Sequence, residues 1–216
     1  MKSNPSKKYI SQILLRLEGK YPTVRSALNY KSALELVVAT ILSAQCTDKR
    51  VNMVTPRLFA KYRSANDYAK ANLNELKKMI SSINFFNNKA KYINNLGKIL
   101  VEDYNAQVPD SIDELIKLPG IGRKTANVVL HGWFEKNEGI AVDTHVGRLS
   151  SRLGLTEHKD PKKIERDLVL LVKEQELGDF GLRLIELGRE TCKARKPDCK
   201  NCFLNDICPS VFKVNS

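Results

Sequence analysis

Apolar positions along the chain recur mostly at three- and four-residue spacing, as in Tyr9, Ile10, Ile13, Leu14 and Leu17. That is the period of a helix face, and no run of residues alternates in the manner of strands. The pattern predicts an all-α protein. Helix starts are well marked: Ser32 with Glu35 and Ser111 with Glu114 fit the capping box, and Asp160 followed by Pro161 fits an N-cap with proline in the first turn. Together these signals predict about ten short helices. No low-complexity linker, heptad run or long-period repeat interrupts them. The polar stretch 135–139 reads as a crossing between two lobes, the charged segment 156–163 as a solvated loop and helix start, and Trp133 and Phe86 as core residues.

Composition narrows the partners. The chain has 216 residues, enough for one large or two small domains with their own apolar cores. Its 36 Lys and Arg against 24 Asp and Glu leave a formal charge of +12, which favours a polyanion, either nucleic acid or an acidic membrane. The mostly apolar stretch from Leu36 to Leu42 is far shorter than the ~20 residues that span a bilayer, which argues against a membrane partner. The N-terminal segment is basic without an apolar signal core or a small-residue cleavage site, so the expected location is the cytoplasm, in association with nucleoid DNA.

Two segments carry candidate chemistry. Between Leu118 and Leu130 a predicted helix runs into a Pro-Gly-x-Gly turn and then into an amphipathic helix, a helix-hairpin-helix pattern whose bland alternative is a simple helical corner. Gly120 and Gly122 suit backbone angles closed to other residues and let a phosphate approach amides at a helix N-terminus. Such a turn grips DNA backbone without reading bases, with Arg123 as a further phosphate contact. Lys124 stands in the first helical turn, where the dipole disfavours the ammonium and favours the nucleophilic amine. Position alone leaves two roles open for it, nucleophile or phosphate contact. Nineteen residues on, Asp143 follows a short apolar run and precedes another helix. It reads as an N-cap, a role compatible with catalysis because the sequence does not show where its second oxygen points.

Four of the five cysteines crowd into the last 25 residues. Cys192, Cys199, Cys202 and Cys208 are spaced C-x6-C-x2-C-x5-C, which in a reducing compartment points to a metal rather than to disulfides. Ligand number and spacing admit structural zinc as readily as an iron-sulfur cluster. Lys193, Arg195 and Lys196 lie between the first two ligands, in a loop that ligation would hold in shape for DNA phosphates. Cys46 stands apart and reads as a packed thiol.

The segment 118–130, the segment Val142-Asp-Thr-His-Val-Gly-Arg148 and the C-terminal cysteines together resemble the endonuclease III family of DNA glycosylases with lyase activity, over nearly the whole chain. The resemblance implies a two-lobed helix-hairpin-helix glycosylase fold with a DNA-binding cleft and an iron-sulfur cluster loop. One lobe would span about 25–135, the other 1–24 with 136–216. Lys124 matches the catalytic lysine and Asp143 the catalytic aspartate, and the cysteine spacing is similar to the family's 4Fe-4S motif, which decides against zinc. Gln45 matches a gap-filling glutamine, while Cys46 stands where alanine is common. Phe85 holds the place of an intercalating apolar residue. Asn84 departs from the usual glycine, a site where tolerance of left-handed angles would keep the turn. His145 reads as a packed or hydrogen-bonded residue. The implied activity is base excision repair by a monomer on damaged double-stranded DNA: removal of oxidised pyrimidines, then β-elimination at the abasic site through a lysine Schiff base. Two alternatives stand beside it. One is a monofunctional adenine-mismatch glycosylase, a branch that generally lacks the lysine and carries an extra C-terminal domain. The other is a non-enzymatic DNA-structure-binding protein.

Overall fold

Local signals explain most of the helix starts in the computed structural model, which describes residues 5–213. Every regular element among these residues is helical, so the all-α expectation holds. In chain order they are α1 (Lys7–Lys20), α2 (Ala33–Ser43), α3 (Asp48–Lys61), α4 (Ala65–Ala69), α5 (Leu73–Met79) and α6 (Phe86–Asp103). There follow α7 (Ile112–Leu115), α8 (Arg123–Phe134), α9 (Thr144–Arg152), α10 (Pro161–Val169), a 3-10 turn at Glu174–Glu176 and α11 (Leu177–Glu190).

Asp160 caps α10 by accepting the Lys163 amide at 3.0 Å, with Pro161 in the first turn. Ser32 caps α2 through the Glu35 amide, but the Glu35 carboxylate reaches back to the amide of Lys31, one residue beyond the expected partner. Ser111 makes no side-chain cap bond to α7. Its intended partner, Glu114, is taken by the Tyr104 hydroxyl at 2.7 Å and by Lys117 at 2.5 Å. A complete reciprocal box forms instead between Ser64 and Asp67 at α4, where the returning acid is Asp rather than Glu.

The chain divides into two compact units, Ser26–Lys136 and Met1–Arg25 with Asn137–Ser216. In the first, α2 is buried all along Leu36–Leu42 and packs on α3, α6 and α8. Each aliphatic side chain so buried contributes roughly 1.5–3 kcal/mol, so this helix is a large contributor to the unit's stability. Phe86 packs at the edge of that core. Trp133, read as buried, is 42% exposed and rests edge-on against Tyr30. The helix ends one residue later, and Phe134 takes the place against the core. In the second unit Ile13, Leu17, Val146, Leu149, Phe180 and Leu184 form the centre of the core. Thr156, read as part of a solvated loop, is buried there and donates to Asp167.

Candidate active site and metal centre

The hairpin of the first unit turns at Gly120, whose φ of +79° lies in the left-handed region that favours glycine. A second constraint is steric: a Cβ there would stand 3.2 Å from the Tyr92 ring of α6. Gly122 differs from the sequence expectation. Its φ of −98° and ψ of 174° are open to any residue, and an added Cβ would meet nothing within 4 Å. Neither backbone nor packing therefore calls for glycine at 122. What the missing side chain leaves is an N-terminus of α8 with no side-chain cap. Arg123 and Lys124, the first two helical residues, are exposed beside it. A helix dipole, a start without a side-chain cap and two cations together suit an anion.

Asn105, Ala106 and Glu135 of the same unit hold left-handed angles, and so do two residues assigned to DNA. Gln45, between α2 and α3, has φ 54°, and Phe85, at the start of α6, has φ 57°. Left-handed angles in a bulky residue are costly and persist only where surrounding structure holds them. Phe85 is nonetheless 61% exposed, so its own burial does not hold it. Asn84, the position where left-handed tolerance was invoked, does not use it: the strain sits one residue later. Its side chain instead donates from Nδ2 to the Gln45 carbonyl at 2.6 Å. Lys89, only 4% exposed, donates from Nζ to the carbonyls of Leu42 at 2.8 Å and Ala44 at 2.6 Å. These are the unpaired carbonyls at the C-terminus of α2, a helix with no basic residue in its own last turn. Burial pushes the Lys89 ammonium below the usual lysine range. Cys46 is partly buried against the core.

In the second unit Asp143 caps α9. Its Oδ1 accepts the amides of His145 and Val146, both at 2.8 Å, and its Oδ2 lies 3.2 Å from His145 Nδ1. One oxygen is thus spent on the helix and the other, which sequence could not place, faces a titratable ring.

Downstream on α9, Arg148 and Arg152 reach the cysteine loop. Arg148 donates to the carbonyls of Gly188 and Cys192, each at 3.1 Å. Arg152 donates to those of Lys193 at 2.8 Å and Ala194 at 2.9 Å, and its Nη1 lies 3.2 Å from the Cys192 sulfur. With the loop carbonyls turned to these arginines, Lys193, Arg195 and Lys196 are left exposed. Cys192, Cys199, Cys202 and Cys208 line one hollow together with Thr191, Pro197, Asp198, Asn205 and Val211. Among the described residues no three His, Cys, Asp or Glu side chains converge on a single-ion site; the thiols stand around the hollow. Burial pushes the Cys202 and Cys208 thiols up, a cost that the positive charge of iron would offset. A donor set of four sulfurs around one hollow fits an iron-sulfur group.

Comparison with known proteins agrees with this architecture. Residues 38–174 match the family model of HhH-GPD superfamily base excision DNA repair proteins, and residues 192–208 match the iron-sulfur binding domain of endonuclease III. The chain is a DNA-repair protein of that helix-hairpin-helix class. It is 48% identical to endonuclease III of Synechocystis sp. over 95% of this chain and 94% of the relative. Identity is 45% with endonuclease III of Bacillus subtilis, over 93% and 92%. The fold is similar to that of a trapped endonuclease III–DNA covalent intermediate, with a TM-score of 0.91 and 42% identity over 97% of this chain and 98% of that one. The chain belongs to the endonuclease III family.

Four features escape the sequence reading: Tyr92 behind the hairpin, Lys89 under α2, the Asn84 bond, and the arginine pair on α9. The arginines had a signal, an i, i+4 spacing that puts both on one helix face. Lys89 had a weaker one, a lysine on the face that carries Phe86, Ala90, Ile93 and Leu100.

Proposed function

We propose that Lys124 is the nucleophile and Asp143 the acidic partner of the base-excision reaction. As a member of the endonuclease III family the protein is a DNA glycosylase with abasic-site lyase activity. The proposed substrate is a duplex containing an oxidised pyrimidine, rotated out of the stack at low cost because a damaged base stacks poorly. The Lys124 amine attacks the sugar C1′. A nitrogen–carbon bond forms as the glycosidic bond breaks, and its electron pair leaves on the base, which takes up a proton. Ring opening gives a Schiff base; loss of a C2′ proton then expels the 3′ phosphate. Asp143 stabilises positive charge developing on the sugar through Oδ2, the oxygen not occupied by helix amides. Gly120, Gly122 and Arg123 hold the backbone, Lys193, Arg195 and Lys196 add phosphate contacts, and Gln45 and Phe85 fill the space that the rotated nucleotide leaves. Cys192, Cys199, Cys202 and Cys208 would hold a 4Fe-4S cluster, which fixes the shape of the C-terminal loop.

The observation that carries this reading is the exposed Lys124 beside an N-terminus that the chain leaves uncapped. Borohydride trapping on a duplex with one thymine glycol tests it. Wild type gives a lesion-dependent covalent adduct. Lys124→Gln lowers the adduct at least roughly 10³-fold, the scale of losing a nucleophile, and still binds the duplex. Loss of binding with the adduct would make Lys124 a phosphate contact.

A further inference from the structure

Gln45 and Phe85 both hold left-handed backbone angles while their side chains face outward. Each loop is anchored on its own side. The Cys46 amide donates to the Ser43 carbonyl at 3.0 Å, and the amides of Asn88 and Lys89 both donate to the Phe85 carbonyl at 3.1 Å. Lys89 fixes the α2 end at Leu42 and Ala44 and stops one residue short of Gln45. The next carbonyl along, that of Gln45, accepts from Asn84 Nδ2, the immediate neighbour of Phe85. A side-chain bond from Asn84, the residue before Phe85, therefore ties the second loop to the strained Gln45 across 39 positions of sequence. It lies at an exposed position, where water competes for both groups, so its contribution to folding is small and its effect is on geometry. Strain held in place at exposed side chains is characteristic of sites that meet a ligand.

We propose that Asn84 is a positioning residue that sets Gln45 and Phe85 as one unit, so that they enter the duplex together when a nucleotide is extruded. This rests on the duplex-filling role given to those two residues above. The bond acts where a stacked base has to leave the duplex, and a preformed abasic site has no base to unstack. A glycine or alanine at 84 keeps the ordinary backbone and loses the donor.

The test compares wild type with Asn84→Ala, Gln45→Ala, Phe85→Ala and the Asn84→Ala/Gln45→Ala pair. It reads single-turnover base release from a thymine-glycol duplex and the rate of borohydride trapping on a duplex with a preformed abasic site. Asn84→Ala is expected to slow release roughly three- to tenfold more than it slows trapping, the scale of one exposed hydrogen bond. In the Gln45→Ala background the added loss from Asn84→Ala shrinks to within about twofold, because Phe85 then has no side chain at 45 with which to be set. Equal slowing on both substrates, no slowing of release, or an undiminished effect in the Gln45→Ala background would overturn the proposal. If Gln45→Ala and Phe85→Ala themselves release base as fast as wild type, the duplex-filling role falls and the tie falls with it. If those two are slow and Asn84→Ala is not, the tie alone is refuted.

Discussion

Two helices, α8 and α9, each begin beside a residue assigned to chemistry, and their N-termini are built in opposite ways. At α9 the chain supplies its own anion: Asp143 accepts two amides through one oxygen. At α8 the cap is Gly122, with no side chain and open space where one would be. Each helix start carries about half a positive charge and unpaired amides. A carboxylate that satisfies them is fixed in place, which suits a catalytic acid whose other oxygen must point in a set direction. A start capped by glycine gives up only roughly a few tenths of a kcal/mol against one capped by Asp and leaves room for an external phosphate. The same backbone element thus holds a residue in one unit and, in the proposed function, is left to hold a ligand in the other.

Substitutions at Asp143 probe the first half of that contrast and should give the largest effect. Asp143→Asn keeps an oxygen that can accept the two amides and loses the negative charge. Base release should fall about 10²- to 10³-fold, with the melting temperature within about 2 °C of wild type. Asp143→Ala should match that loss of rate and, lacking the cap, melt about 2–4 °C lower. An Asn variant that melts as low as the Ala variant but works at the wild-type rate would make Asp143 a cap and nothing more.

The second half is tested by giving α8 the cap that α9 has. Gly122→Asp supplies a capping carboxylate at a position where an added Cβ meets nothing within 4 Å. The duplex should bind about tenfold or more weakly, since the added charge occupies the donors and repels phosphate. The melting temperature should hold or rise slightly. Fluorescence anisotropy with a duplex carrying an abasic-site analogue, beside thermal melts, measures both. Unchanged affinity would show that α8 does not present its amides to DNA.

How much of this was legible in the sequence follows from the range of each interaction. Helix period, the Asp160–Pro161 start and the Pro-Gly-x-Gly turn are read within a few residues, so the all-α architecture and the hairpin were visible. The four cysteines were visible for the same reason, being a spacing pattern. Gly122 was read correctly as glycine at a helix start and wrongly as a conformational need, because φ is not written in residue type. Asn84 was assigned the strain that Phe85 bears, since a propensity for left-handed angles says where they are cheap and tertiary contacts decide where they occur. Lys89, Tyr92, Arg148 and Arg152 act on partners tens of residues away, Lys89 on Leu42 across 47 positions and Arg152 on Lys193 across 41. No local pattern encodes such pairs.

A third helix start, that of α4, sharpens the comparison at its lower limit, because there a cap is only a cap. Asp67 accepts the amides of Arg63 and Ser64 and the Ser64 hydroxyl, all at 2.9 Å. The Arg63 amide first and the Ser64 hydroxyl next hold its carboxyl below the usual aspartate range. A lowered folded-state value means that the unfolded chain binds the proton first as pH falls. The stabilisation is therefore fully present above the unfolded value of about 3.9 and is lost as pH drops through the lowered folded value. Asp67→Asn should cost about 2 °C or less in melting temperature at pH 7, and the gap from wild type should close in acid below that window. Base release at pH 7 should match wild type. Since α4 carries none of the residues assigned to DNA or to the reaction, a slowed Asp67→Asn would mean that loosening any helix start lowers the rate. The opposite construction of α8 and α9 would then cease to explain their separate roles.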